Sequence, residues 1–131
     1  MAIPVGTVHE EVRLVTSEIA IDHLGSEESR VLSTPHLIWI IEYTCRNAVL
    51  PFLEAGHDTV GTHVDVKHLA ATPIGLNVRY RAEVTAVDDR RVAYKVEAWD
   101  DREKIAEGTH ERFVIDIARF AKRVQAKRTP R

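Results

Sequence analysis

A single cysteine, Cys45, occurs in the 131 residues, so no internal disulfide can form, and the chain fits a reducing cytoplasm. That thiol reads as a buried helix residue rather than a nucleophile. Long hydrophobic runs are missing too. The longest, around Leu37 to Ile41, is cut off by Glu42 and falls far short of a bilayer span, so no membrane partner is expected. The N-terminus lacks a basic-then-apolar signal segment, since Val8 is soon followed by His9, Glu10, Glu11 and Arg13. The histidines show no common metal-ligand spacing, and there is no HExxH, paired CxxC, GxSxG or phosphate loop. Neither a metal nor a cofactor is therefore expected. No helix-turn-helix, zinc-finger or aromatic RNA-binding signature is present either. With no internal repeat and no linker, residues 1–131 read as one domain.

What is present is an ordinary globular composition, 44% hydrophobic and 29% charged, which excludes a disordered or collagen-like chain. The net charge of −2 conceals an asymmetry. Of the 18 basic residues six fall at 119–131, where there is no acid, leaving 12 bases against 20 acids, or −8, in the rest. Such a tail can attract nucleic acid, anionic lipid or a phosphorylated small molecule. A solvated terminal helix is the commoner explanation, and no nucleic-acid partner is assigned.

Periodicity gives an α+β layout. Val8 to Ile21 reads as one or two short strands, and Asp22 to Arg30 as a polar loop or lid. Ser33-Thr34-Pro35 is a helix start: a hydroxyl caps free N–H groups, with Thr34 or Ser33 able to serve, and proline suits the first turn. Leu37, Ile38, Ile41, Cys45, Ala48, Val49 and Phe52 then recur at helical spacing, with a kink or early end expected at Pro51 and a left-handed stop at Gly56. Beyond it the period becomes two. Val60, Thr62, Val64, Val66 and His68 are expected on one strand face, with Gly61, His63, Asp65, Lys67 and Leu69 on the other. Strands around Val78–Ala86, Val92–Trp99 and Lys104–Ile115 follow, separated at Asp88-Asp89 and Asp100-Asp101. One long helix set into an antiparallel sheet should cover the apolar strand faces.

Three residues resist a purely structural reading. Glu42 shares a helix face with Ile38, Cys45 and Val49, where a carboxylate is costly unless paired, hydrogen-bonded or protonated. An edge position beside a salt bridge would also explain it. His68 has the parity of Val64 and Val66, on the face expected to meet that helix. Thr34 stands at the helix N-terminus, whose free N–H groups suit a negatively charged or polarised oxygen. A hydroxyl, a carboxylate and an imidazole suffice for acyl-transfer chemistry, although spacing alone does not show that the three meet.

The stretch from Val31 to Arg112 resembles hotdog-fold thioesterases of the fluoroacetyl-CoA thioesterase type. The matching pieces are the Thr34-led helix, Glu42-Tyr43-Thr44-Cys45, Leu50-Pro51-Phe52-Leu53-Glu54, Val60-Gly61-Thr62, His68-Leu69-Ala70-Ala71-Thr72-Pro73 and Gly108-Thr109-His110-Glu111-Arg112. The resemblance implies a Thr34–Glu42–His68 catalytic set, with Glu42 as general base or nucleophile, His68 as acid–base partner and Thr34 orienting carboxylate or acyl group. It also implies substrate contacts at Gly61, through its backbone N–H, and at Arg112. The family fold wraps an antiparallel sheet around one helix and dimerises, with acyl-CoA sites at or near the subunit interface.

One departure stands out. The resembling enzyme carries phenylalanines in a lid shortly before its threonine, whereas Asp22 to Arg30 reads DHLGSEESR. The expected activity is hydrolysis of an acyl-CoA to a carboxylic acid and free CoA, without specialisation for fluoroacetyl-CoA, by a homodimer or higher homo-oligomer. The alternative is a hotdog module that binds acyl-CoA as sensor or carrier without turning it over.

Overall fold

The computed structural model describes residues 2–130. Five strands, β1 (Val8–Leu14), β2 (His57–His68), β3 (Asn77–Asp88), β4 (Arg91–Trp99) and β5 (Lys104–Asp116), form one antiparallel sheet in the order β1-β3-β4-β5-β2. Helix α1 (Thr34–Val49) joins β1 to β2, which lie at opposite edges, so the chain must cross the sheet between them. It does so against the inward faces of β1, β3, β2 and β5. Helix α2 (Ile117–Ala126) extends from β5.

Alternation builds the core. Val78, Tyr80, Ala82 and Val84 of β3 and Val92, Tyr94, Val96 and Ala98 of β4 are all buried, as period two requires. Leu37, Ile40, Ile41, Cys45, Ala48 and Val49 of α1 close over them. Full burial of a side chain such as Leu37 or Ile41 contributes about 1.5–3 kcal/mol. Ile38 is only half-buried and Phe52 is exposed, so the core face of α1 is rotated by part of a turn from the expected one.

The structure decides between the alternatives left open at the start of the chain and at both ends of α1, and corrects the sequence reading at Gly56 and in β2. The N-terminal segment is a single strand followed by a short 3-10 turn at Ser17–Ile19, not two strands. Ser33, not Thr34, caps α1: its Oγ accepts from the His36 N–H at 3.2 Å. The helix ends at Val49 and tightens into a 3-10 turn over Leu50–Phe52, because Pro51 lacks the N–H that would continue it. Gly56 is thus not the helix stop; its φ of 81° serves the turn into β2.

The correction in β2 bears on the site. Between Gly61 and His63 the register of β2 against β5 slips, so Thr62 is an extra residue in the strand. Inward parity therefore passes from Thr59 and Gly61 to Val66 and His68. Val60 and Thr62 do not share the His68 face. The bulge lets Gly61 and His68, of opposite parity, both turn towards α1.

Candidate active site

The five residues singled out from sequence fall into two groups along α1. At its N-terminal end, Thr34 is exposed, because Ser33 has taken the capping role. Its Oγ1 lies 2.7 Å from Nδ1 of His68, the last residue of β2. Burial pushes the His68 pKa down, against a smaller opposing effect of the Ala70 backbone, so the imidazole is neutral near pH 7. The other ring nitrogen, Nε2, is buried with no hydrogen-bond partner among the described residues. A cavity of about 440 Å³ opens beside the pair, walled by Ile21, His23, Val31 and Leu69.

Two turns further on, about 12 Å along the axis at 1.5 Å per residue, Glu42 belongs to a second group. Its Oε1 lies 3.3 Å from Arg112 Nη1 and 3.9 Å from His110 Nε2, and its carboxylate is not within ion-pair distance of His68. Arg112 is itself pinned: Nε donates to Thr59 Oγ1 at 2.7 Å and Nη2 to the Thr59 carbonyl at 2.9 Å. His110 Nδ1 donates to the His63 carbonyl at 2.7 Å, which leaves Nε2 to accept from Arg112 Nη1 at 3.3 Å. Burial, aided by the neighbouring Arg112 guanidinium, lowers the His110 pKa and keeps that ring neutral. His110 also stacks on Tyr94, with centroids 5.9 Å apart.

Gly61 completes this second group by its lack of a side chain. A methyl there would overlap Glu42 Oε1 and crowd His110 and Arg112. The glycine thus opens the approach to the carboxylate. Trp39, Tyr43, Arg46, Asp58 and Ile117 complete the wall of a cavity of about 570 Å³ beside Glu42 and Arg112. Arg46 grips Asp58 through Nε and Nη2, fixing α1 against the start of β2.

Sequence reasoning gave no role to His110 or Thr59. A signal for His110 existed: β5 sends Ala106, His110, Arg112 and Val114 inward at period two, and two basic-type residues on a buried face require partners. Thr59 left no comparable mark.

Residues 15–118 match the family of fluoroacetyl-CoA-specific thioesterases. The chain belongs to that family. The curated fluoroacetyl-CoA thioesterase of Streptantibioticus cattleyicolor is 39% identical over 102 residues, which span 78% of this chain and 73% of that one. A solved fluoroacetyl-CoA thioesterase structure superposes with a TM-score of 0.88 at 34% identity, covering 99% of this chain and 100% of the other. A thioesterase superfamily member from Thermus thermophilus superposes with a TM-score of 0.87 at 28% identity, covering 97% and 94%. The α+β architecture is accordingly the hotdog fold, and the protein is a thioester hydrolase of the acyl-CoA thioesterase class. No helix among the described residues is long and apolar enough to cross a membrane.

Proposed function

We propose that this thioesterase works as a homodimer in the reducing cytoplasm, with each active site assembled from Thr34 and His68 of one protomer and Glu42, Gly61 and Arg112 of the other. The observation that carries this reading is the separation, within one chain, of the Thr34–His68 pair from the Glu42–Arg112 group. One thioester carbonyl cannot touch both. The edge strand β2 supplies a way to join them. Antiparallel pairing of two β2 strands about an axis near their middle brings His68, at one strand end, beside the partner's Thr59 and Gly61, and so beside the partner's Glu42. Val64, Leu69, Trp39 and Tyr43, each 40% exposed or more, provide apolar surface around that edge for a second copy to cover. The unpartnered Nε2 of His68 then gains a use, facing substrate or the partner's carboxylate.

In this site Glu42 takes a proton from water as the resulting hydroxide adds to the thioester carbonyl carbon. The Gly61 N–H holds the developing oxyanion. Collapse of the tetrahedral intermediate breaks the carbon–sulfur bond, and the departing CoA thiolate takes the proton that Glu42 drew from water, relayed through His68, whose ring ends neutral as it began. Thr34 holds the imidazole by its other nitrogen. Arg112 aims the carboxylate. The acyl group is one other than fluoroacetyl, because the Asp22–Arg30 segment carries no aromatic side chain.

Three measurements test this. Free-thiol release over short, branched, aromatic and long acyl-CoAs should identify a turned-over substrate. Glu42→Gln and His68→Ala should each lower kcat by about a hundredfold or more. Mixing the two inactive proteins after subunit exchange should restore about a quarter of wild-type activity, since half the dimers are mixed and each contains one intact site. A site built within one chain gives no recovery.

A further inference from the structure

Beyond the reacting centre, the electrostatics of the outer sheet face point to where the rest of the substrate lies. We infer that Arg90, Arg119 and Arg123 form the binding site for the phosphate-bearing nucleotide end of CoA; the inference rests on the acyl-CoA thioesterase reading. Among the described residues, seven of twelve arginines have a carboxylate within 4.0 Å: Arg13, Arg30, Arg46, Arg79, Arg81, Arg91 and Arg112. Of the five that do not, three converge on one cavity of about 280 Å³ between β2, β5 and α2. Arg119 and Arg123 stand one turn apart on α2, and Arg90 reaches in from the β3–β4 turn.

Unpaired guanidinium groups held close together repel one another, and a polyanion relieves that repulsion. Their planar, forked donors suit phosphate oxygens. The one carboxylate lining the cavity, Asp116, is occupied: its Oδ1 accepts the Arg119 backbone N–H at 3.1 Å and caps α2. Phe113, 40% exposed, and Phe120 add an apolar wall on which a purine can stack. The position is right as well. Val60 and Ile115 line both this cavity and the one beside Glu42, so the two adjoin. A thioester at Glu42 and Gly61 thus has its pantetheine arm directed past Val60 towards the arginines. Two of the six positive charges of the tail, on an otherwise acidic chain, become a substrate anchor.

The test compares two substrates with the same acyl group, an acyl-CoA and the acyl-N-acetylcysteamine thioester, which lacks the nucleotide. For Arg119→Ala/Arg123→Ala and for Arg90→Ala, KM for the acyl-CoA should rise about tenfold or more, with kcat within about twofold. The N-acetylcysteamine thioester should show neither change. An unaltered KM for acyl-CoA, or equal changes for both substrates, would overturn the inference. Titration of adenosine 3′,5′-bisphosphate into wild type and double variant provides a readout independent of turnover. Binding weakened about tenfold in the variant supports the site, and equal binding refutes it. Should no acyl-CoA be hydrolysed, the thioesterase reading fails, while this titration still decides the arginine site.

Discussion

Glu42 and Arg112, 70 residues apart in sequence, meet at 3.3 Å across the interface between α1 and β5. The arginine holds the carboxylate in place because Thr59 and His110 already hold the arginine. Its fork engages four acceptors on three residues, which an ammonium on a flexible stem cannot reproduce. Arg112→Lys should therefore keep the fold but lower kcat about tenfold or more, as a misdirected base does. Arg112→Ala should in addition destabilise the protein by about 1–3 kcal/mol, because buried acceptors lose their donor. Denaturant midpoints and steady-state kinetics on both variants check this. Full activity in Arg112→Lys would show that charge alone suffices.

The division of labour between Ser33 and Thr34 makes a cleaner experiment than the sequence promised. Ser33 caps α1, so Ser33→Ala should cost about 1 kcal/mol of stability. Thr34 is exposed and bonded to His68, so Thr34→Ala should stay within about 0.5 kcal/mol of wild type. Its kcat should nevertheless fall, and Thr34→Ser should restore it. Thermal melts and turnover on the same samples separate the two roles. A large stability loss in Thr34→Ala would return the capping role to that residue.

The legibility of this protein in its sequence follows from how local each signal is. The Ser-Thr-Pro start, the proline-limited end of α1 and the alternation of β3 and β4 are set by neighbouring residues, and the elements follow closely. The bulge at Thr62 is different. It depends on how β2 pairs with β5, a contact between residues far apart in sequence, and no residue type near it signals the slip. That is why Gly61 was assigned to the face opposite His68, and why the Glu42–Arg112–Thr59 arrangement could not be read. Resemblance named Thr34, Glu42, His68, Gly61 and Arg112 without saying which of them share a chain's cavity. Separation along α1 emerges only from the three-dimensional arrangement.

Two histidines set the response to pH. His68 and His110 are both held below the ordinary value of 6.5 by burial. Between the folded pKa and 6.5 the unfolded chain binds more protons than the folded one, so stability rises with pH across that window. It is fully present above about 6.5 and lost progressively as pH falls through the folded pKa. The melting temperature should drop on acidification over that range, and His110→Asn should flatten the drop. In kcat/KM, the acid limb should lie below 6.5, since protonation at Nδ1 abolishes acceptance of the Thr34 hydroxyl. A limb at or above 6.5 would mean that His68 titrates as a solvated group.

Selectivity rests on what stands over the Thr34–His68 cavity. Distinguishing fluorine from hydrogen on a two-carbon acyl group takes a dedicated reading device, since small apolar differences in a pocket are worth only about 1–3 kcal/mol. Here the wall is built from Ile21, His23 and Val31, and the segment above it turns at Gly25, with φ 89°, and exposes Leu24. Arg30 ties the segment down by donating to the Ile21 carbonyl at 3.1 Å and to Ser17 Oγ at 2.9 Å. A polar, tethered cover of this kind excludes water less well than packed aromatic rings and offers the fluorine no specific contact. We expect no large preference for fluoroacetyl-CoA over acetyl-CoA, and better turnover with a larger acyl group. The measurement is kcat/KM for both substrates and a series of longer acyl-CoAs under one set of conditions. A preference above about a thousandfold for the fluorinated substrate exceeds what one small pocket contact supplies. It would place the reading device outside Asp22–Arg30, with Ile21, Val31 and the Thr34–His68 pair as the first residues to replace.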